Sequence, residues 1–337
     1  MRTLTMNLMI LALVSLSLGA CTDSEKKPPV EKIRLQLKWV HQAQFAGFYL
    51  AKEKGFYTKE NLDVDFLEGG KGVDVTEALL SGPADFAVVA PEDILIKRSR
   101  GATLTAIAAI YRRSAVVFLS KADSGIDRPI DFAGKTIAVA KDPGEVRDFR
   151  IQFDALAKKL NLDVSHIRRM PYDPSYKAFL DGSVDVTPAY ITGGLIRLKQ
   201  AGHRLNVIWP GDYEIYFYSD MLAASEQIIQ TKPEVVTRFL RASLKGWREA
   251  VNDTEAAVTA TLKYARIKDE SLQKAMMEAQ IPLVHTGEDH IGWMTENLWE
   301  KMVEILYEEG IIPTKTLDES KVYTMRFLET VYEDSKQ

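Results

Sequence analysis

Three neighbouring stretches decide the fold: Ile33-Arg34-Leu35-Gln36-Leu37-Lys38-Trp39, then Gln44 to Lys54, then Leu62-Asp63-Val64-Asp65-Phe66-Leu67. The first and third alternate apolar and polar residues, the period of a half-buried strand. The middle stretch reads as a helix, and Gly55 stands where a helix C-cap belongs. Strand, helix and strand in so short a space form a unit whose two strands lie parallel in one sheet.

The same grammar continues outward. Gly69-Gly70 reads as a turn, Val73 to Leu80 as a helix, and Asp85 to Ala90 as a short buried strand. Pro91 opens the next helix at the first position, where its missing N–H costs nothing. Leu104 to Tyr111 and Ala115 to Ser120 read as strands. A second block repeats the pattern: strands Thr136–Ala140, His166–Met170 and Asp185–Ala189 alternate with helices Val146–Leu160, Ser175–Leu180 and Ile191–Ala201. Val207-Ile208 and Ile215 to Tyr218 read as short strands, and after about Leu222 the signals turn helical almost to the end. The expectation is an α/β protein of two lobes, each a parallel sheet with helices on both faces, and a helical C-terminal region returning to the first lobe. The chain would cross between lobes near Val116–Ser120 and near Trp209–Ser219. The boundaries are a signal segment over 1–20, a tether over 21–32, the first part of lobe 1 over 33–117, lobe 2 over 118–212, and the return over 213–337. Ligands of open α/β sheets bind outside the carboxyl ends of the strands, so one interlobe cleft should carry the site.

The chain has 337 residues, enough for two lobes of ordinary size. A net charge of -4 argues against a general nucleic-acid binder, which needs a basic surplus. The one cysteine, Cys21, rules out an intrachain disulfide and any cysteine chemistry in the folded body. Gly69-Gly70-Lys71-Gly72 lacks the spacing and the Lys-Ser/Thr ending of a phosphate loop. The five histidines form no metal-ligand spacing, so neither a metal nor a cofactor is expected. Leu8 to Leu18 is an apolar run behind Arg2, too short for the roughly 20 residues of a membrane span and right for a signal peptide. Leu18-Gly19-Ala20-Cys21 resembles the bacterial lipobox, which makes Cys21 the expected lipidation site and the polar run to Lys32 a flexible tether.

Several of these segments carry a family resemblance. Leu37-Lys38-Trp39, Ala43 to Tyr49 and Ala51 to Tyr57 are similar to the start of solute-binding proteins of the thiamine-pyrimidine-precursor type, related to nitrate, sulfonate and taurine binders. The likeness runs on through Glu68-Gly69-Gly70, Gly82 to Phe86, Asp123 to Ile126, Asp131 to Lys135, Gly182 to Asp185 and Asp212 to Tyr218, in the family's order and over nearly all of the mature chain. It implies a type II periplasmic-binding-protein ("Venus flytrap") fold. It also implies capture of a small planar heterocycle, delivery to an ABC permease in the inner membrane, a periplasmic or outer-surface location, a monomer, and no catalysis. A ligand-sensing protein docking on a membrane signalling partner would share this fold and cleft. Eukaryotic pyrimidine synthases share it too, but they carry a cysteine-rich motif that this chain lacks after Cys21.

The candidate ligand residues come from strand-to-helix loops. Trp39 ends the first strand and would stack on a planar ligand or pack as core. Gln44 and Phe45 open the next helix, where Gln44 can orient a heteroatom and Phe45 can wall the pocket. Pro91-Glu92 follows a strand; Glu92 either complements the helix dipole or accepts from a ligand amino group. Tyr111 is a stacking candidate, and the backbone of Pro143-Gly144 could hold an oxygen. Tyr190 and Thr192 follow a lobe 2 strand where the family reads Tyr-x-Thr-Asn-Glu-Pro. Here Gly193 and Gly194 replace the Asn and Glu, and in the family that Glu pairs with the aminopyrimidine. Its loss points away from that ligand and should open volume for a larger ring. Glu214 could supply a displaced carboxylate, and Tyr216 and Tyr218 should share one strand face near the second crossing.

Overall fold

The opening alternation forms strand β1 (Glu31–Gln36), which buries Ile33 and Leu35 and leaves Lys32 and Arg34 exposed. The structure, a computed structural model, describes residues 29–139, 147–287, 290–316 and 318–334. A 3-10 turn over Ala43–Phe45 leads into α1 (Ala46–Glu53). Gly55 follows at φ 69°, a left-handed conformation that a side chain resists. Strand β2 (Leu62–Leu67) then pairs parallel with β1, from Glu31↔Leu62 to Gln36↔Leu67. Strand β3 (Phe86–Val89) is buried throughout and lies parallel on β1's other side. It feeds α2 (Pro91–Ser99), with Pro91 in the first turn, and β4 (Leu104–Ala109) follows.

The chain crosses between β4 and β5, over 110–115, and the segment Val116–Ser120 expected as the crossing is already strand: the second sheet begins with β5 (Val116–Lys121) and β6 (Thr136–Ile137). Helix α3 (Arg147–Lys159), β7 (Arg168–Arg169), β8 (Val186–Tyr190), α4 (Gly194–Gln200) and β9 (Leu205–Ile208) complete that unit. A 3-10 turn over Pro210–Tyr213 leads back to the first sheet and β10 (Met221–Ser225). Helices α5 (Pro233–Asn252), α6 (Glu270–Val284) and α7 (Glu296–Glu308) dominate the remainder.

The sheets have strand orders β2-β1-β3-β10-β4 and β7-β6-β8-β5-β9, the same layout used twice. The parallel expectation needs correcting at one strand in each. β10 runs antiparallel between β3 and β4, and β5 antiparallel between β8 and β9. Both are the first strands after a crossing. A chain arriving from the other lobe enters a sheet at the end where its parallel strands finish, so it must run against them.

The strand expected over Ile215–Tyr218 does not form; that segment is irregular, and Tyr216 is exposed while Tyr218 is buried. The strand of the return is β10 instead. Its sequence Met-Leu-Ala-Ala-Ser is buried on both faces, and such a run has no period to separate strand from helix.

The C-terminal helices close over the first sheet. Helices α1 and α5 cross where both lack side chains: a Cβ on Gly246 would sit 2.2 Å from the Gly47 carbonyl oxygen, and one on Gly47 would strike the Trp247 indole. Trp247 is fully buried there, edge-on to Phe48. Phe86, stacked on Phe239 at 4.1 Å, extends the same core.

Candidate functional site

Strands β1, β3 and β4 end, and β10 begins, along one edge of the first sheet. Charged residues collect there. Lys38 follows β1, Glu92 sits in the first turn of α2, and Asp220 immediately precedes β10. The Asp220 carbonyl oxygen accepts from the Ile110 and Tyr111 N–H groups at 2.8 and 3.2 Å, which pins Asp220 to the end of β4. Lys38 Nζ lies 2.9 Å from Asp220 Oδ1, with the two side chains only 13% and 2% exposed. Gln44 Nε2 donates to the other Asp220 oxygen at 2.7 Å and is itself oriented by Gln42 at 2.8 Å.

The second lobe meets this group with Asp148, in the first turn of α3, and Tyr190, at the end of β8. The Tyr190 hydroxyl donates to Asp148, and its ring centroid lies 5.1 Å from Lys38 Nζ. Arg147 crosses to Asp93 of α2 at 2.7 Å. Thr192 hydrogen-bonds the Tyr111 hydroxyl, which donates to Gln280 Oε1 at 2.6 Å. Gln280 in turn donates to the Ala43 carbonyl at 2.7 Å. The two lobes thus touch through a buried polar network.

Its electrostatics are lopsided. Burial alone would push the Lys38 ammonium down, but Asp220, Asp148 and Glu92 outweigh it and hold Lys38 above the ordinary lysine range. Burial pushes Glu92 well up, and the neighbouring Asp148 and Asp93 add to it. Asp148 is raised by burial as well, against the pull of Lys38 and Tyr190. Among the described residues, three carboxylates stand around one ammonium, an excess of negative charge. Buried charge without a counter-charge is costly, so the arrangement favours protonation or an occupant that brings hydrogen-bond donors or positive charge.

The residues expected from sequence divide accordingly. Gln44, Glu92, Tyr111, Tyr190 and Thr192 come together here, with Pro91 setting the start of α2. Trp39 adjoins Lys38 and is half-buried against the core. Phe45 is fully buried and edge-on to Tyr49, inside lobe 1. Tyr218 packs on Trp299 and accepts from the Thr295 N–H, away from the cluster. Glu214 is exposed and paired with Lys159, so it supplies no displaced carboxylate. Pro143, Gly144 and Cys21 lie outside the described residues.

The volume expected from Gly194 is also absent. A Cβ there would lie 1.8 Å from the Tyr176 hydroxyl oxygen and 3.1 Å from the Ala189 side chain, because the Tyr176 ring fills that space. Sequence reading missed Lys38, Asp148, Asp220 and Gln280. The available signal was position: Lys38 stands just past a strand, and Asp148 opens a helix.

Comparison with known proteins adds the following. Residues 42–257 match the family described as NMT1/THI5 like. The riboflavin-binding protein RibY of Chloroflexus aurantiacus is 23% identical, over 97% of this chain and 98% of its own. A formylaminopyrimidine-binding protein of Halalkalibacterium halodurans is 24% identical, over 88% and 94%. A 4-amino-5-hydroxymethyl-2-methylpyrimidine phosphate synthase of Legionella pneumophila is 23% identical, over 90% and 95%. Among solved structures, the periplasmic aliphatic sulphonate binding protein SsuA of Escherichia coli superposes with a TM-score of 0.70 at 16% identity, covering 86% of this chain and 96% of that one. The fold is the two-lobed α/β fold of periplasmic binding proteins.

Proposed function

The chain belongs to the NMT1/THI5-like family, and on that premise we propose that it is the solute-capturing component of an ABC importer, closing its lobes on a neutral or cationic planar heterocycle rich in hydrogen-bond donors. One observation carries the ligand class: among the described residues, Glu92, Asp148 and Asp220 surround a single ammonium where the lobes meet. A sulfonate or phosphate would bring further negative charge to a group in which acids already outnumber cations among the described residues. An amino-substituted or N–H-bearing ring would supply what they lack. No step of chemistry is assigned to these residues. Asp93 is engaged by Arg147, which does not favour Glu92 and Asp93 acting as an acid pair.

The test is a calorimetric panel of riboflavin, formylaminopyrimidine, hydroxymethylpyrimidine and an alkanesulfonate. Binding of a heterocycle with no response to the sulfonate is expected, and the reverse preference sinks the reading. Trp39→Ala belongs in the same panel. It should weaken the bound heterocycle by about 1–3 kcal/mol, the scale of stacking on a nucleobase. Stability should fall by less than the roughly 3–5 kcal/mol of a fully buried tryptophan. A Trp39→Ala protein that is badly destabilised yet binds normally would assign the indole to packing.

Delivery to a permease requires retention near the membrane, and lipidation of Cys21 would provide it. Cys21→Ala should move the exported protein from the membrane fraction to the soluble fraction with ligand binding intact. Wild-type protein already soluble without detergent after native export would overturn the anchor.

A further inference from the structure

A cavity of about 640 Å³ lies between the two crossing segments and α7, and its lining includes none of Lys38, Glu92, Asp148, Tyr190 or Asp220. The first crossing, between β4 and β5, contributes Arg113, the second, between β9 and β10, Trp209 and Tyr216, and the start of α7 contributes Asn297 and Lys301. The Trp209 indole N–H donates to the Ser114 carbonyl at 3.1 Å, which ties one crossing to the other beside the cavity. Arg113 is exposed and has no hydrogen-bond or ion-pair partner among the described residues. Lys301 Nζ sits 5.6 Å from the Tyr216 ring centroid, and Tyr216 is 46% exposed. Arg112 also lines the space but is engaged elsewhere, donating to the Trp293 carbonyl at 3.1 Å, and among the described lining residues Asp212 is the single acid. Cations therefore outnumber acids among the described lining residues, around two aromatic surfaces, the reverse of the charge balance in the cleft.

We propose that this cavity is a second binding site, for an organic anion with a flat aromatic body. Arg113 and Lys301 would take the acidic group, and Trp209 and Tyr216 would pack on the ring. Its walls belong to both segments that must bend when the lobes open. An occupant that fits the closed spacing of the crossings would therefore favour closure, and by linkage a closed cleft would favour the occupant. The inference does not depend on which ligand the cleft takes.

Naphthalene-1-sulfonate is a suitable probe, titrated into the full mature protein by calorimetry. Binding is expected in the wild type, weakened about tenfold or more in Arg113→Ala/Lys301→Ala. Both side chains are exposed, so that variant should keep the wild-type thermal midpoint. One control separates the site from charge in general. Lys177→Ala/Lys199→Ala removes the same charge from exposed positions outside the cavity. It should bind the probe as the wild type does. Saturating probe should also lower the radius of gyration of the wild type and leave that of Arg113→Ala/Lys301→Ala unchanged. No heat of binding at millimolar probe, or equal binding by Arg113→Ala/Lys301→Ala, overturns the site. Binding without a change in the radius of gyration overturns the link to closure.

Discussion

Replacing Lys38 by methionine should lower folding stability at pH 7 by about 3–5 kcal/mol, the usual cost of removing one partner from a buried ion pair. The ammonium is 13% exposed and its partner Asp220 only 2%, so water cannot take over its role. Without it, Asp220 keeps the Gln44 amide but no positive charge, and Glu92 and Asp148 lose the cation that offsets burial. The sign of the pH dependence follows. Lys38 is raised in the fold, so its contribution is complete below the unfolded lysine value and constant between pH 5 and 7. Glu92 and Asp148 are raised carboxyls, which the fold prefers protonated. Their penalty is absent below about pH 4, near the unfolded value, and grows as pH rises towards the folded value. The deficit of Lys38→Met should therefore shrink on going from pH 7 to pH 5, as read by urea unfolding at both. Lys38→Met/Asp220→Leu should recover part of the loss, because it leaves no orphaned charge at position 220, while Glu92 and Asp148 still lack the cation. A Lys38→Met protein within about 1 kcal/mol of wild type, or one equally destabilised at both pH values, would show that the ammonium does not hold these acids together.

That cluster also marks how far the sequence could be read. The repeated strand–helix grammar was visible because half-buried strands alternate, as β1 and β2 do, and because Pro91 announces the start of α2. Glu92, Tyr111, Tyr190 and Thr192 were legible for the same reason: each lies at or just past the end of a strand that the pattern locates. Lys38 was not, since a lone lysine after a strand has the same local signature whether it meets water or a buried aspartate. Only the β10 connection, from far along the chain, decides between them. Asp220 was hidden by the adjoining Ala-rich strand, whose placement between β3 and β4 is a matter of topology. Asp148 at a helix start fits the dipole so well that nothing local demanded a second role. Gly194 misled in the opposite direction. A missing side chain suggests space, but the void is filled by Tyr176, held by a left-handed backbone at φ 59° that sequence pattern does not reveal.

Tyr176 therefore decides what a carboxylate at position 194 would do. Gly194→Glu alone should bind hydroxymethylpyrimidine no better than the wild type. Its Cβ would overlap the Tyr176 hydroxyl, which is hydrogen-bonded to Tyr172 at 3.1 Å, and the ring is buried in the lobe 2 core. Forcing a side chain into that space should cost about 1–3 kcal/mol of stability, the ordinary price of overpacking. Tyr176→Asn/Gly194→Glu should behave differently. Asparagine tolerates the left-handed backbone at 176 and gives up most of the ring's volume, so the glutamate can enter. A carboxylate facing the aminopyrimidine would then pair ring and amino donors whose desolvation otherwise costs about 1–3 kcal/mol each, an affinity gain of about 5–150-fold for one such pair. Gly193 leaves open space around its own Cβ position, so Gly193→Asn can be added to complete the Asn-Glu pattern without a clash. Calorimetry on the wild type, Gly194→Glu and Tyr176→Asn/Gly194→Glu reads the series directly. Tighter binding in the single variant would mean that Tyr176 swings aside at little cost. Tight binding already in the wild type would mean that Glu92 or Asp148 performs the recognition from across the cleft. If Tyr176→Asn/Gly194→Glu remains folded and gains nothing, position 194 does not face the ligand, and the heterocycle is held by the Lys38 cluster alone.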